Sequence, residues 1–144
     1  MNTGEVKHYL MQAKLINLNI TSRQRELDAV RATFTKASTS RLVEDKVTET
    51  EGQSYDDKYM RLFELDEDIN TEIDHLIETQ REIRQRINEL GDPLCIIVLR
   101  ERYLNDESWE DIADSLKQSE RNIHRIHGRA LVEFGKIHGK KVCQ

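Results

Sequence analysis

Apolar side chains that recur by alternating steps of three and four residues constrain this chain more than any other feature. Val6, Tyr9, Ala13, Ile16, Ile20, Arg23, Leu27, Val30 and Phe34 follow that rule, and only Arg23 is polar. Such a period lines up its apolar members on a helix, so 1–36 is predicted to be a long helix with a narrow apolar seam. The rule returns at Tyr59, Leu62, Asp66, Ile69, Ile73, Leu76, Gln80, Ile83, Ile87 and Leu90, which predicts a second long helix over 57–91. Gly91, Asp92 and Pro93 stop it. Thr21 and Ser22 ahead of Gln24 look like a helix start, so a kink or break is expected near Ile20.

Between the two helices, residues 37–56 are rich in Ser, Thr and charge and lack a 3.6 period, which reads as a flexible or disordered linker. Each helix is roughly 45–50 Å long at about 1.5 Å per residue, and matched lengths suggest an antiparallel hairpin. Heptads fit pairing between chains equally well, so a homo-oligomer built through the long helices is also expected. With 37% hydrophobic and 34% charged residues, the chain is too polar for a large compact core. One Pro, six Gly and abundant helix formers favour an all-α fold. The longest apolar run, Leu94 to Leu99, is far too short to span a membrane, and the N-terminus has no signal-peptide pattern; a cytoplasmic protein is expected.

After Pro93 the pattern shortens, and 92–144 reads as a separate module of three helices. The first runs from Leu94 to about Leu104, with faces set by Leu94, Ile97 and Val98, and Asn105, Asp106 and Glu107 turn the chain. Ser108 then caps a helix, with Asp111 reaching back toward it and Trp109, Ile112, Ala113 and Leu116 as its buried stripe. Lys117 and Gln118 connect to Ser119, a second cap, and Ile123, Ile126, Ala130 and Phe134 share one face of the last helix. Two short helices joined this way describe a helix-turn-helix.

The opposite face of the last helix supplies the chemistry. With Ile123 at zero, Arg121, Arg125 and Arg129 fall near about 160°, 200° and 240°, with His124 at the margin. Arg121, Asn122, His124 and Arg125 are the base-reading candidates. Ser119 and Arg129 suit phosphate contacts or helix positioning, and Lys117, Lys136, Lys140 and Lys141 form an electrostatic fringe. The net charge of −5 conceals a basic end. Residues 117–144 hold seven Lys/Arg against Glu120 and Glu133, leaving 15 basic and 25 acidic side chains, of totals of 22 and 27, to the rest.

Other chemistry finds little support. Cys95 reads as a small core residue and Cys143 as a free tail thiol. His124 and His127, with His138 and Cys143, match no usual zinc spacing. No carboxylate pair, nucleophile constellation or phosphate loop stands out, so neither an enzyme nor a cofactor or metal site is expected.

The stretch LRERYLNDESWEDIADSLKQSERNIHRIHGRALVEF resembles region 4 of housekeeping-type bacterial sigma factors. Leu99, Arg102 and Tyr103 match its first helix, Ser108, Asp111, Ile112, Ala113 and Leu116 its second, and Ser119, Ile123, Ile126, Arg129, Ala130 and Leu131 its third. Asp111 stands where that pattern has Glu, and Gly128 is expected to weaken or bend the last helix. The whole layout resembles the ArpU/RinA-like late transcription activators of phages and prophages of Gram-positive bacteria. That resemblance implies binding to double-stranded promoter DNA and contact with host RNA polymerase, inside the bacterial host. No segment resembles the sigma region that melts promoters, so autonomous initiation is not expected. Two other readings compete: a small terminase subunit recognising packaging sites, and a helical adaptor that does not bind DNA.

Overall fold

The computed structural model describes residues 1–44 and 52–139, and every regular element among them is helical, as the all-α expectation requires. The order is α1 (Thr3–Glu44), α2 (Gly52–Asn88), α3 (Pro93–Leu99), a π-helical segment (Arg100–Leu104), α4 (Trp109–Leu116) and α5 (Glu120–His138). At the head of α1, the Asn2 side chain accepts from the Glu5 amide and the Glu5 carboxylate accepts from the Asn2 amide, both at 2.8 Å. This reciprocal pair satisfies two amides that no helical carbonyl can reach.

Two expectations change. No break occurs near Ile20, because α1 runs through Thr21 and Ser22 with its seam buried on both sides of them. Seam pairing outweighs a weak local start signal. Both helices also enter the stretch read as a linker, α1 through Glu44 and α2 from Gly52, since an established helix extends at little cost per residue. The remainder of that stretch, 45–51, lies outside the described residues.

The chain forms two compact units, Asn19–Ile77 and a discontinuous one of Met1–Leu18 with Glu78–Gln144. Within Asn19–Ile77, Leu27 and Val30 of α1 bury against Ile69 and Ile73 of α2, with Phe34 and Leu62 packed beside them. Arg23 pairs with Glu72 at 3.0 Å, Arg31 with Asp66 at 3.1 Å, and Phe34 meets Tyr59 edge-on at 5.3 Å. Numbers rise along α1 as they fall along α2, so the helices are antiparallel and the seam closes within one chain. The polar seam members Arg23 and Asp66 thus fix register through cross-helix ion pairs.

The discontinuous unit holds the larger core. Val6, Leu10 and Ala13 of α1, Ile83 and Ile87 of α2 and Leu90 just beyond it are buried in one cluster with Cys95, Val98, Leu99, Tyr103, Ile112, Ile123 and Phe134. A boundary at Pro93 therefore does not describe this fold: the ends of the long helices share a core with the residues beyond it. Leu10, outside the narrow seam, is fully buried because α1 meets more here than α2. Gln80 donates to Asn17, and the Asn17 side chain donates to the Leu104 carbonyl at 2.8 Å.

The C-terminal helix is held at close quarters. A Cβ on Gly135 would lie 2.7 Å from the Met1 carbonyl oxygen and 3.3 Å from Val6, whereas one on Gly128 would meet nothing within 4 Å. α5 runs without interruption through Gly128, with its opposite face buried.

Gly128→Ala is expected to stabilise the protein by about 1 kcal/mol through helix propensity alone. Gly135→Ala should destabilise it by about 1–3 kcal/mol through overpacking. Thermal unfolding of both variants checks the pair, and a loss at Gly128 equal to that at Gly135 would contradict the packing. Ile83→Asp should cost roughly 3–5 kcal/mol by burying an unpaired carboxylate, and Ile73→Asp less, since Ile73 sits in the smaller cluster. Denaturant titration followed by circular dichroism measures both.

Candidate nucleic-acid interface

Ser108 and Ser119 start the two helices that shape the basic surface. The Ser108 hydroxyl accepts from the Asp111 amide at 3.1 Å and donates to the Asp111 carboxylate at 2.8 Å; the Ser119 hydroxyl accepts from the Asn122 amide at 3.1 Å. Between them Lys117 takes a left-handed conformation, φ 52°, while its amide donates to the Asp114 carbonyl and that of Gln118 to the Ala113 carbonyl. These two bonds close α4 in a Schellman turn, and the next residue caps α5. Ile112 and Ala113 of α4 bury against Ile123, Ile126, Ala130, Leu131 and Phe134 of α5, so the sequence reading of these stripes holds. On α3, Val98 is buried as read, together with Cys95 and Leu99, while Ile97 is half-buried and Leu94 exposed.

Arg121, Arg125, Arg129 and Lys136 are all exposed on the other side of α5. Ser119, Arg121, Asn122 and Arg125 line an open hollow of about 480 Å³ at its N-terminal end. Their detailed roles diverge from a uniform stripe. Arg129 donates to the Asp92 carboxylate at 2.5 Å, the same side chain whose other oxygen caps α3, so Arg129 ties α5 to α3. Asn122 is half-buried, accepting from Arg125 Nε at 3.1 Å and donating to Gln118 at 2.7 Å. Ser119 is a cap, and Lys117 is the exposed apex of the turn. Lys140 and Lys141 lie outside the described residues, as does Cys143.

His124 leaves the arginine stripe for an aromatic cluster. Its ring lies 4.5 Å from that of Trp109, and Trp109 also meets His127 at 4.7 Å and carries the Arg102 guanidinium at 4.5 Å. His127 is buried and shares a 2.9 Å hydrogen bond between its Nε2 and the Tyr103 hydroxyl. Burial, then the positive charges of Lys7, His124 and Arg102, lowers the pKa of His127 to about 4, and burial pushes that of Tyr103 up to about 12. Among the described residues no group of three or more His, Cys, Asp or Glu could hold a metal ion, and no helix is long and apolar enough to cross a membrane. Sequence reasoning missed the Tyr103–His127 bond, whose partners are far apart in the chain, and Gln118, whose spacing of four from Asn122 was the available signal.

The chain belongs to a family whose model, described as a protein of unknown function (DUF1492), matches residues 36–134, more than half of its length. No curated protein and no solved structure matches it.

His127 makes stability depend on pH. Its folded pKa lies below the unfolded value of about 6.5, so between about pH 6.5 and 4 the unfolded chain takes up a proton that the folded one refuses. Stability should fall as pH drops through that window, by up to about 3 kcal/mol from this group, and the contribution is flat above it. Denaturation midpoints between pH 7 and 4 measure the slope. His127→Gln, which keeps an acceptor for Tyr103, should flatten it; an unchanged slope would assign the acid sensitivity elsewhere.

Proposed function

We propose that this protein is a sequence-specific DNA-binding transcriptional regulator, an activator of phage or prophage late genes that works with host RNA polymerase. The observation that carries the reading is the division of α5 into two faces. Ile123, Ile126, Ala130 and Phe134 are buried on one, while Arg121, Arg125 and Lys136 stand exposed on the other, the first two lining the open hollow. In a helix-turn-helix, a second helix presented this way enters the major groove, where an arginine can bond guanine O6 and N7 together. The basic balance of residues 117–144 against an acidic remainder directs a polyanion to that face. In this reading the partners are promoter duplex, the polymerase and further copies of the chain, and the setting is the cytoplasm of the bacterial host.

Selection of bound fragments from the source genome supplies the preferred site. On it, Arg125→Ala should lose about 1–3 kcal/mol of binding and discrimination at one base pair, while losing little on a scrambled duplex. Lys136→Ala should weaken both duplexes alike and make the log–log salt dependence shallower by about one unit. Anisotropy titrations at several salt concentrations separate the two, and equal losses on both duplexes for Arg125→Ala would remove α5 as the reader. Reporter activation from a late promoter would support the regulator, and stimulation of a large terminase subunit without it would favour packaging.

A further inference from the structure

Gln118, Asn122 and Arg125 form one hydrogen-bonded line across the start of α5. Asn122 Nδ2 donates to Gln118 Oε1 at 2.7 Å, and Arg125 Nε donates to Asn122 Oδ1 at 3.1 Å. A spacing of three keeps Asn122 and Arg125 on one side of the helix, and Gln118 reaches Asn122 from the turn before it. The Asn122 backbone amide is separately held by Ser119, so the side-chain line is not needed to cap the helix.

This arrangement divides labour in a way residue identity does not show. Reading an adenine would require Asn122 to turn its carbonyl oxygen and an N–H together to the base edge, and one lone pair and one N–H of that amide already fix its orientation between Arg125 and Gln118. Arg125, held through Nε, keeps its two terminal nitrogens for a planar, two-point acceptor. Its holding partner is a neutral amide, so the guanidinium is oriented without being neutralised. Arg129 differs, because its partner is the carboxylate of Asp92.

We infer that Asn122 is the positioning residue of Arg125, braced by Gln118, and that it presents the guanidinium to a guanine rather than reading a base itself. The inference rests on the DNA-reading assignment of α5. Fixing a flexible arginine before binding lowers the ordering cost of the complex, so its value appears in affinity and in base discrimination together.

The test is a double-mutant cycle on the selected duplex and on duplexes changed at single base pairs, with melting curves confirming that each variant is folded. Asn122→Ala should weaken the preferred site about 3- to 10-fold and relax discrimination at the same base pair as Arg125→Ala. In the Arg125→Ala background it should add almost nothing. Gln118→Ala should give a smaller loss at that same pair. Relaxation by Asn122→Ala at a different base pair, or full additivity with Arg125→Ala, overturns the positioning role and makes Asn122 an independent contact. If Arg125→Ala itself leaves discrimination intact, the reader assignment falls and the inference with it.

Discussion

The packing of α5 against the first turns of α1 is the constraint on which the presentation of the basic face depends. Tyr9 and Phe134 meet at 5.8 Å, and the same core buries Val6, Leu10, Ile123 and Phe134 completely. Burial of one such side chain is worth about 1.5–3 kcal/mol, so a few of them outweigh any contact on the outer surface. The end of α2 adds direction. Glu133 accepts from the Gly91 amide at 2.8 Å, and the buried ring of His138 bonds the Arg86 carbonyl at 2.9 Å. With one side of α5 fixed in this manner, its other side is free to carry charge.

The arginines of that helix show how little a shared stripe says about shared work. Arg125 is oriented by an amide and retains its full charge toward solvent, whereas the charge of Arg129 is met by a carboxylate across a helix boundary. Arg129 thereby serves the architecture, holding the cap of α3, and Arg125 serves whatever approaches. His124 is likewise drawn off to Trp109, leaving the stripe narrower than a helical wheel suggests.

Sequence periodicity revealed the long helices and the buried stripes of α4 and α5, because each follows from contacts repeated every three or four residues, while matched helix lengths suggested the antiparallel hairpin and left pairing between chains open. Ser108 and Ser119 were legible as caps for the same local reason. Leu10 was not, since a narrow seam supposes a single neighbouring helix and this turn has several. A boundary at Pro93 was natural in the sequence, but the close approach of Gly135 to the Met1 carbonyl joins residues far apart in the chain and leaves no periodic trace. The engagement of Asn122 was hidden too: composition names a hydrogen-bonding group without saying which partner already holds it. DNA recognition and late-gene activation remain proposals that these contacts support.

A core made from segments far apart in the sequence has a consequence for the order of folding. Asn19–Ile77 contains both faces of its own seam, so it can close while the remainder is still being synthesised. The first turns of α1 must wait for α5, more than a hundred residues further along the chain, before Val6 and Leu10 find Phe134. Closing the α1–α2 hairpin early shortens the effective loop that those distant partners must cross, which lowers the entropy lost when they meet. Until α5 packs, Val6 and Leu10 lack the cover that Phe134 gives them, although the rest of the α1 seam is already closed on α2.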